Sequence, residues 1–96
     1  MPLPHCVYVL LSLTDGHFYI GYTTDLDRRL REHTEGRSKS TAPRRPLKLV
    51  FSEFYLAEQD ARRREKYLKT SAGRRALRLM LPRTLTDVVR TTESRS

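Results

Sequence analysis

Five side chains in this 96-residue sequence are of the types that could work together on a phosphate ester: Tyr8, Tyr19, Arg29, His33 and Glu65. A guanidinium presents forked, permanently charged donors to non-bridging oxygens. An imidazole, with a reference pKa near ~6.5, can take up a proton at neutral pH. A phenol titrates near ~10 and needs a cationic neighbour to do the same. A carboxylate held on an otherwise apolar stripe can meet a hard cation such as Mg²⁺. None of these residue types is diagnostic alone, because a strand tyrosine is more often core than catalyst. Their value depends on the elements that carry them.

Tyr8 and Tyr19 fall in two runs rich in β-branched and aromatic residues, Cys6–Leu11 and Phe18–Thr23, separated by Asp15-Gly16. Asp-Gly suits a type I′ hairpin turn, which predicts Leu13 facing Phe18, Leu11 facing Ile20 and Val9 facing Tyr22. A register slipped by two residues keeps the same faces. Val7, Val9 and Leu11 then line the core with Tyr22. Tyr8, Tyr19 and Gly21 share the opposite face, where glycine lets backbone or substrate approach closely. A helix follows over residues 25–35, with acids in its first turn and Gly36 as its stop. Its apolar seam is Leu26 and Leu30, and spacing puts Arg29 and His33 along it. A charge on that seam needs a partner, although Arg29 can equally snorkel at its edge.

The stretch from Gly36 to Pro46 is a polar, basic loop. It is either an ordinary connector or a grip on phosphates through Arg37, Lys39, Arg44 and Arg45. Leu47–Tyr55 alternates as a third strand, with Leu47, Leu49 and Phe51 on one face and Val50 and Phe54 on the other. Apolar residues on both faces predict a central strand. Residues 57–70 read as a second helix, and Glu65 lies on its apolar stripe between Ala61 and Leu68. Surrounding arginines and lysines offer Glu65 a plain salt bridge as the alternative to a metal. A third helix runs to Leu81 and ends at Pro82, and residues 82–96 are expected to be a loosely ordered tail. The architecture expected is α+β, a small three-stranded antiparallel sheet flanked by helices in the order β-β-α-β-α-α, within a single domain over residues 5–81. His5 and His17, at a terminus and a turn, are read as incidental.

The chain carries 19 basic and 11 acidic residues, a formal charge of +8. Basic blocks from Arg28 to Lys48 and from Arg62 to Arg78 flank the five residues, as a cleft for a polyanion requires. Arg28, Arg37, Lys39, Arg44 and Arg45 in the first block, and Arg62, Lys66 and Lys69 in the second, are the candidate phosphate-backbone contacts. Two solvated helix faces are the competing reading. Cys6 is the sole cysteine, so no internal disulfide forms. No Cys/His cluster has zinc spacing, and no apolar run is long enough to span a membrane. No leader is recognisable, and a soluble cytoplasmic protein is expected.

Tyr8, the triplet Tyr19-Ile20-Gly21, Arg29, His33 and the helical Glu65 together resemble the GIY-YIG nuclease domain over roughly Val7 to Met80. The likeness is closest to the small stand-alone bacterial members. Cys6-Val7-Tyr8 departs from the name-giving first triplet and keeps only its tyrosine. The resemblance implies a metal-dependent endonuclease cutting DNA, structured or single-stranded, with RNA not excluded. It implies Tyr8 as general base or water positioner, Tyr19, Arg29 and His33 as further catalytic groups, and Glu65 as ligand to Mg²⁺, with Mn²⁺ as a substitute. No small-molecule cofactor is implied. DNA repair is an expectation from the same analogy, and with no appended specificity domain the chain leaves room for a protein partner that supplies specificity. The competing class is a nucleic-acid-binding module of the same fold without turnover.

Overall fold

The computed structural model describes residues 3–94, with side chains described to residue 90. Strands β1 (His5–Ser12) and β2 (Phe18–Thr23) form the hairpin, and α1 (Leu26–Thr34) follows directly. A short 3₁₀ turn, Ala42–Arg44, precedes β3 (Leu47–Tyr55), after which come α2 (Glu58–Leu68), α3 (Ser71–Met80) and α4 (Pro82–Ser94). The sheet is antiparallel throughout, in the order β2-β1-β3. The α+β class expected from the sequence is therefore the one found.

The central strand is β1, not β3 as its two-faced pattern suggested. The apolar run Cys6–Leu11 is buried along its whole length. One face of β1, through Val7, Val9 and Leu11, packs with Phe18, Ile20, Ala61, Leu68 and Leu77. The other face, through Cys6, Tyr8 and Leu10, packs with Leu26, Leu30, Leu47 and Leu49. Helices thus cover both sides of one strand, while β3 runs along an edge and is only partly buried. Pairing between β1 and β3 shifts register between Val9 and Leu10, so that Val9 faces Phe51 and Leu10 faces Leu49. Val50 is the extra residue of that bulge, and a bulge reverses the alternation. Phe51 therefore joins the Val9 side while Leu47 and Leu49 join the Tyr8 side. The expected grouping of these three on one face is corrected accordingly.

The hairpin register is slipped by two from the expected one: Leu11 faces Phe18, Val9 faces Ile20, and Val7 faces Tyr22. Both faces survive the slip, and Tyr8 now lies directly opposite Gly21. The type I′ turn does not form, because that turn needs two residues of positive φ and only Gly16 has one, at +74°. Ser12 accounts for the wider loop. Its buried hydroxyl accepts from the backbone N–H groups of Thr14 and Asp15, both at 3.1 Å, and donates to the Arg44 carbonyl at 2.7 Å. The Asp15 carboxylate then caps the His17 N–H at 2.8 Å.

Asp25 caps α1 by accepting from the Arg28 N–H, and Thr70 caps α3 by accepting from the Gly73 N–H. A Cβ on the buried Gly73 would meet the Tyr67 carbonyl, so glycine here is what lets α3 turn tightly off α2. Pro82 opens a helix rather than leading into a loose tail. Leu81, Leu85 and Val88 pack against the Val9 side of the sheet, so the last stretch contributes to the core. Met80, near the end of α3, is exposed. Among the described residues no helix is long and apolar enough to cross a membrane.

Candidate active site

A groove of about 550 Å³ runs along the edge strand β2, where the Tyr8 face of the sheet meets α2 and α3 from the other face. Tyr8, Tyr19 and Gly21 from the hairpin, Arg29 and His33 from α1, and Glu65 and Lys69 from α2 all line it. The strands supply the phenols because odd and even positions of β1 face opposite ways. The α1 seam supplies the guanidinium and the imidazole.

Tyr8 is at the centre, 3% exposed. Its hydroxyl accepts from Arg29 Nε at 3.2 Å and shares a hydrogen bond with His33 Nε2 at 3.0 Å. The two rings meet edge to face, with centroids 5.7 Å apart. A Cβ on Gly21 would collide with the phenol, so glycine opposite Tyr8 is a requirement of this geometry. Burial raises the Tyr8 pKa above the ordinary phenol value, and the adjacent Arg29 offsets this only in part. The phenol keeps its proton at neutral pH even with the cationic neighbour that the sequence called for.

His33 is buried, and its Nδ1 pairs with the Thr41 hydroxyl at 2.7 Å. Burial, and secondarily Arg29, lowers its pKa, so the imidazole is neutral at pH 7. Arg29 donates from NH1 to Glu32 at 2.9 Å and reaches Ser38 from NH2 at 3.5 Å. These bonds and the one to Tyr8 use three of its five N–H donors and leave two for a ligand. The Glu32 carboxylate raises the Arg29 pKa further. Arg29 is thus anchored rather than snorkelling.

Tyr19 also lines the groove, but its hydroxyl donates to Asp15 Oδ2 at 2.8 Å, and that bond raises its pKa. It ties the hairpin loop to the groove wall. The Glu65 side chain is 16% exposed, with Lys69 Nζ at 3.0 Å and Arg62 NH1 at 3.9 Å. Among the described residues no group of three or more His, Cys, Asp or Glu side chains is arranged to hold a metal ion. A metal here would rest on Glu65 alone. That donor set suits Mg²⁺, which keeps several waters and takes oxygens from a substrate phosphate. Lys69 and Arg62 are about half exposed and can give way to it.

Of the eight candidate phosphate contacts, only Lys69 lines the groove. Arg28 pairs with Glu32, Arg37 with Glu35 and Arg44 with Asp15, all with their side chains well exposed. Lys39 and Lys66 are exposed. Arg45, expected to grip phosphates, donates to the Ala42 and Thr34 carbonyls and so braces its own loop. Arg62 lies 3.8 Å above the Tyr22 ring. The Tyr22 hydroxyl in turn bonds His5 Nδ1 at 2.6 Å, so His5 is not incidental, and His17 lines the groove. Sequence reading missed Ser38, Thr41 and Glu32, which hold Arg29 and His33 in place. Nothing in a polar, basic loop signals which of its hydroxyls will be buried. Arg74 of α3 also lines the groove wall.

Strand phenols, a helix-borne guanidinium and imidazole, and a carboxylate from a second helix thus meet on one polar groove of a small α+β domain. Residues 4–77 match the family model described as the GIY-YIG catalytic domain, more than half of the chain, and the chain belongs to that family. It is 38% identical over 80 residues to UPF0213 proteins of Staphylococcus aureus strains COL and Mu3, covering 82% of this chain and 96% of each relative. Among solved structures it is similar to the solution NMR structure of a UPF0213 protein from Bacillus halodurans. That likeness has 36% sequence identity and a TM-score of 0.51, and covers 83% of this chain and 85% of the other.

Proposed function

We propose that this protein is a metal-dependent endonuclease that hydrolyses phosphodiester bonds in DNA, single-stranded or structured. The observation that carries this reading is the Tyr8 hydroxyl held between Arg29 Nε and His33 Nε2 on the wall of a groove that also presents Glu65. Arg29 takes one lone pair of the phenol oxygen, so the phenolic proton is free to point at His33 Nε2. His33 then carries its own proton on Nδ1, donated to Thr41. A water in the groove gives its proton to Tyr8 as the Tyr8 proton passes to His33, and the water oxygen forms the new bond to phosphorus. The P–O bond to the leaving nucleoside breaks, and solvent protonates the departing oxygen. The two unengaged Arg29 donors bind the non-bridging oxygens, where charge builds in the transition state. Glu65 would hold Mg²⁺ or Mn²⁺, which when bound supplies Lewis acidity and orients the phosphate.

The test is a cleavage panel of single-stranded, nicked, flapped and branched DNA, with RNA counterparts, in Mg²⁺ and in Mn²⁺. Metal-dependent cleavage is expected, with Glu65→Ala and Arg29→Ala each losing about a hundredfold or more in rate. Salt-sensitive binding with no cleavage of any substrate overturns the enzyme and leaves a binding module.

A further inference from the structure

Arg74 in α3 stands on the groove wall with no carboxylate partner among the described residues. The groove's other strong cations are neutralised: Arg29 pairs with Glu32 at 2.9 Å and Lys69 with Glu65 at 3.0 Å. Arg74 instead donates from NH1 to the Phe18 carbonyl at 2.6 Å and from Nε to the Lys69 carbonyl at 3.3 Å. Those two bonds fix the guanidinium plane between the start of β2 and the end of α2. They use two of its five N–H donors and leave its full charge uncompensated. One turn further along α3, Arg78 donates to the Gly16 carbonyl at 3.3 Å and lies 4.7 Å above the Phe18 ring. The charged face of α3 therefore follows the hairpin away from Glu65. Phe18 is three residues from Gly21, the partner of Tyr8, so the carbonyl that Arg74 binds lies roughly 10 Å further along β2.

We propose that Arg74 forms a second phosphate subsite, binding the non-bridging oxygens of a phosphodiester that neighbours the one cleaved. The ligand is the sugar-phosphate backbone of the same strand, which runs from the Tyr8 centre past the hairpin loop. A guanidinium held by backbone carbonyls is preorganised for this and reads no base. The inference rests on the nuclease reading above and deepens it.

The experiment measures binding of a short single-stranded oligodeoxynucleotide, and of a flapped duplex, by fluorescence anisotropy in Ca²⁺ as salt is varied. Single methylphosphonates, which remove the charge of one phosphate, are placed at each position in turn. For the wild-type protein, one neutralised phosphate beside the scissile one should weaken binding about tenfold. Arg74→Ala should be insensitive at that position. Its affinity should fall less steeply with salt, by about 0.7 in the logarithmic slope for a single strand. Arg74→Lys keeps the charge and should keep the slope. The wild-type scan does not depend on how well the variants fold, so sensitivity at no position beyond the scissile phosphate overturns the proposal. So does an Arg74→Ala variant that melts earlier but retains the wild-type slope and scan. Cleavage is read separately on the same substrates. Binding with the predicted scan but no metal-dependent cleavage removes the nuclease reading and leaves the subsite, whereas failure to bind any substrate removes both.

Discussion

Tyr8 and His33 have opposite pKa displacements from one cause. Burial disfavours the charged form of each, so the phenol is held up and the imidazole is held down. Both are neutral near pH 7, and a proton moving from one to the other creates charge beside Arg29. That displacement sets a pH dependence with a definite sign. The unfolded chain's imidazole takes up a proton as the pH falls through about 6.5, whereas the folded one resists to lower pH. The stability contributed by the neutral His33 is therefore complete above pH 6.5 and is lost progressively between that value and the lower folded pKa. On the proposed mechanism, the acid limb of kcat/KM, which reports the free protein, also lies below 6.5. A pH–rate profile whose acid limb falls at or above 6.5 would count against His33 as the acceptor. Urea unfolding of His33→Gln should lose the wild-type dependence on pH in that window. Cys6 needs no such account, since burial pushes its thiol up to about 11 and leaves it inert.

The hairpin and α1 hold most of the groove, and their local chemistry decides how it is shaped. Ser12 is fully buried, and its hydroxyl makes three hydrogen bonds, two within the loop and one to the chain before β3. Ser12→Ala strands two loop N–H groups and the Arg44 carbonyl, and should cost about 1–3 kcal/mol in chemical denaturation. A change below ~0.5 kcal/mol would show that the loop closes without it. At this scale the sequence was informative in part. The faces of β1 and β2 were legible, because alternation survives a two-residue slip, and so was the α1 seam that carries Arg29 and His33. The register was not, since Asp15-Gly16 suggested a two-residue turn while the side chain of Ser12 selected a wider one. The edge position of β3 was hidden because apolar residues on both faces arise either from a central strand or from a bulge, here at Val50. The fourth helix was hidden by its low apolar content, since Leu85 and Val88 are few anchors for its length. Resemblance, more than periodicity, pointed to Glu65, whose salt-bridge alternative is also present in the structure.

Taken whole, the molecule places a strongly basic chain around a groove whose own cations are mostly paired. Much of the +8 charge lies on exposed arginines and lysines outside the groove. That distribution suits long-range attraction of a polyanion followed by selection at a few anchored groups. The core is compatible with the same purpose: β1 is covered on both faces, so Tyr8, the central phenol of the groove, projects from the most deeply packed strand. Three separate elements must therefore keep their relative positions for Tyr8, Arg29, His33 and Glu65 to act as a unit. Such a unit is tested by a double-mutant cycle in single-turnover cleavage under Mg²⁺, comparing wild type, Tyr8→Phe, His33→Gln and the double variant. Each single variant should lose about a hundredfold or more in rate, and the double variant should lose little beyond the worse single one. Losses that multiply, or singles that cleave at the wild-type rate, would contradict a shared proton path through Tyr8 and His33.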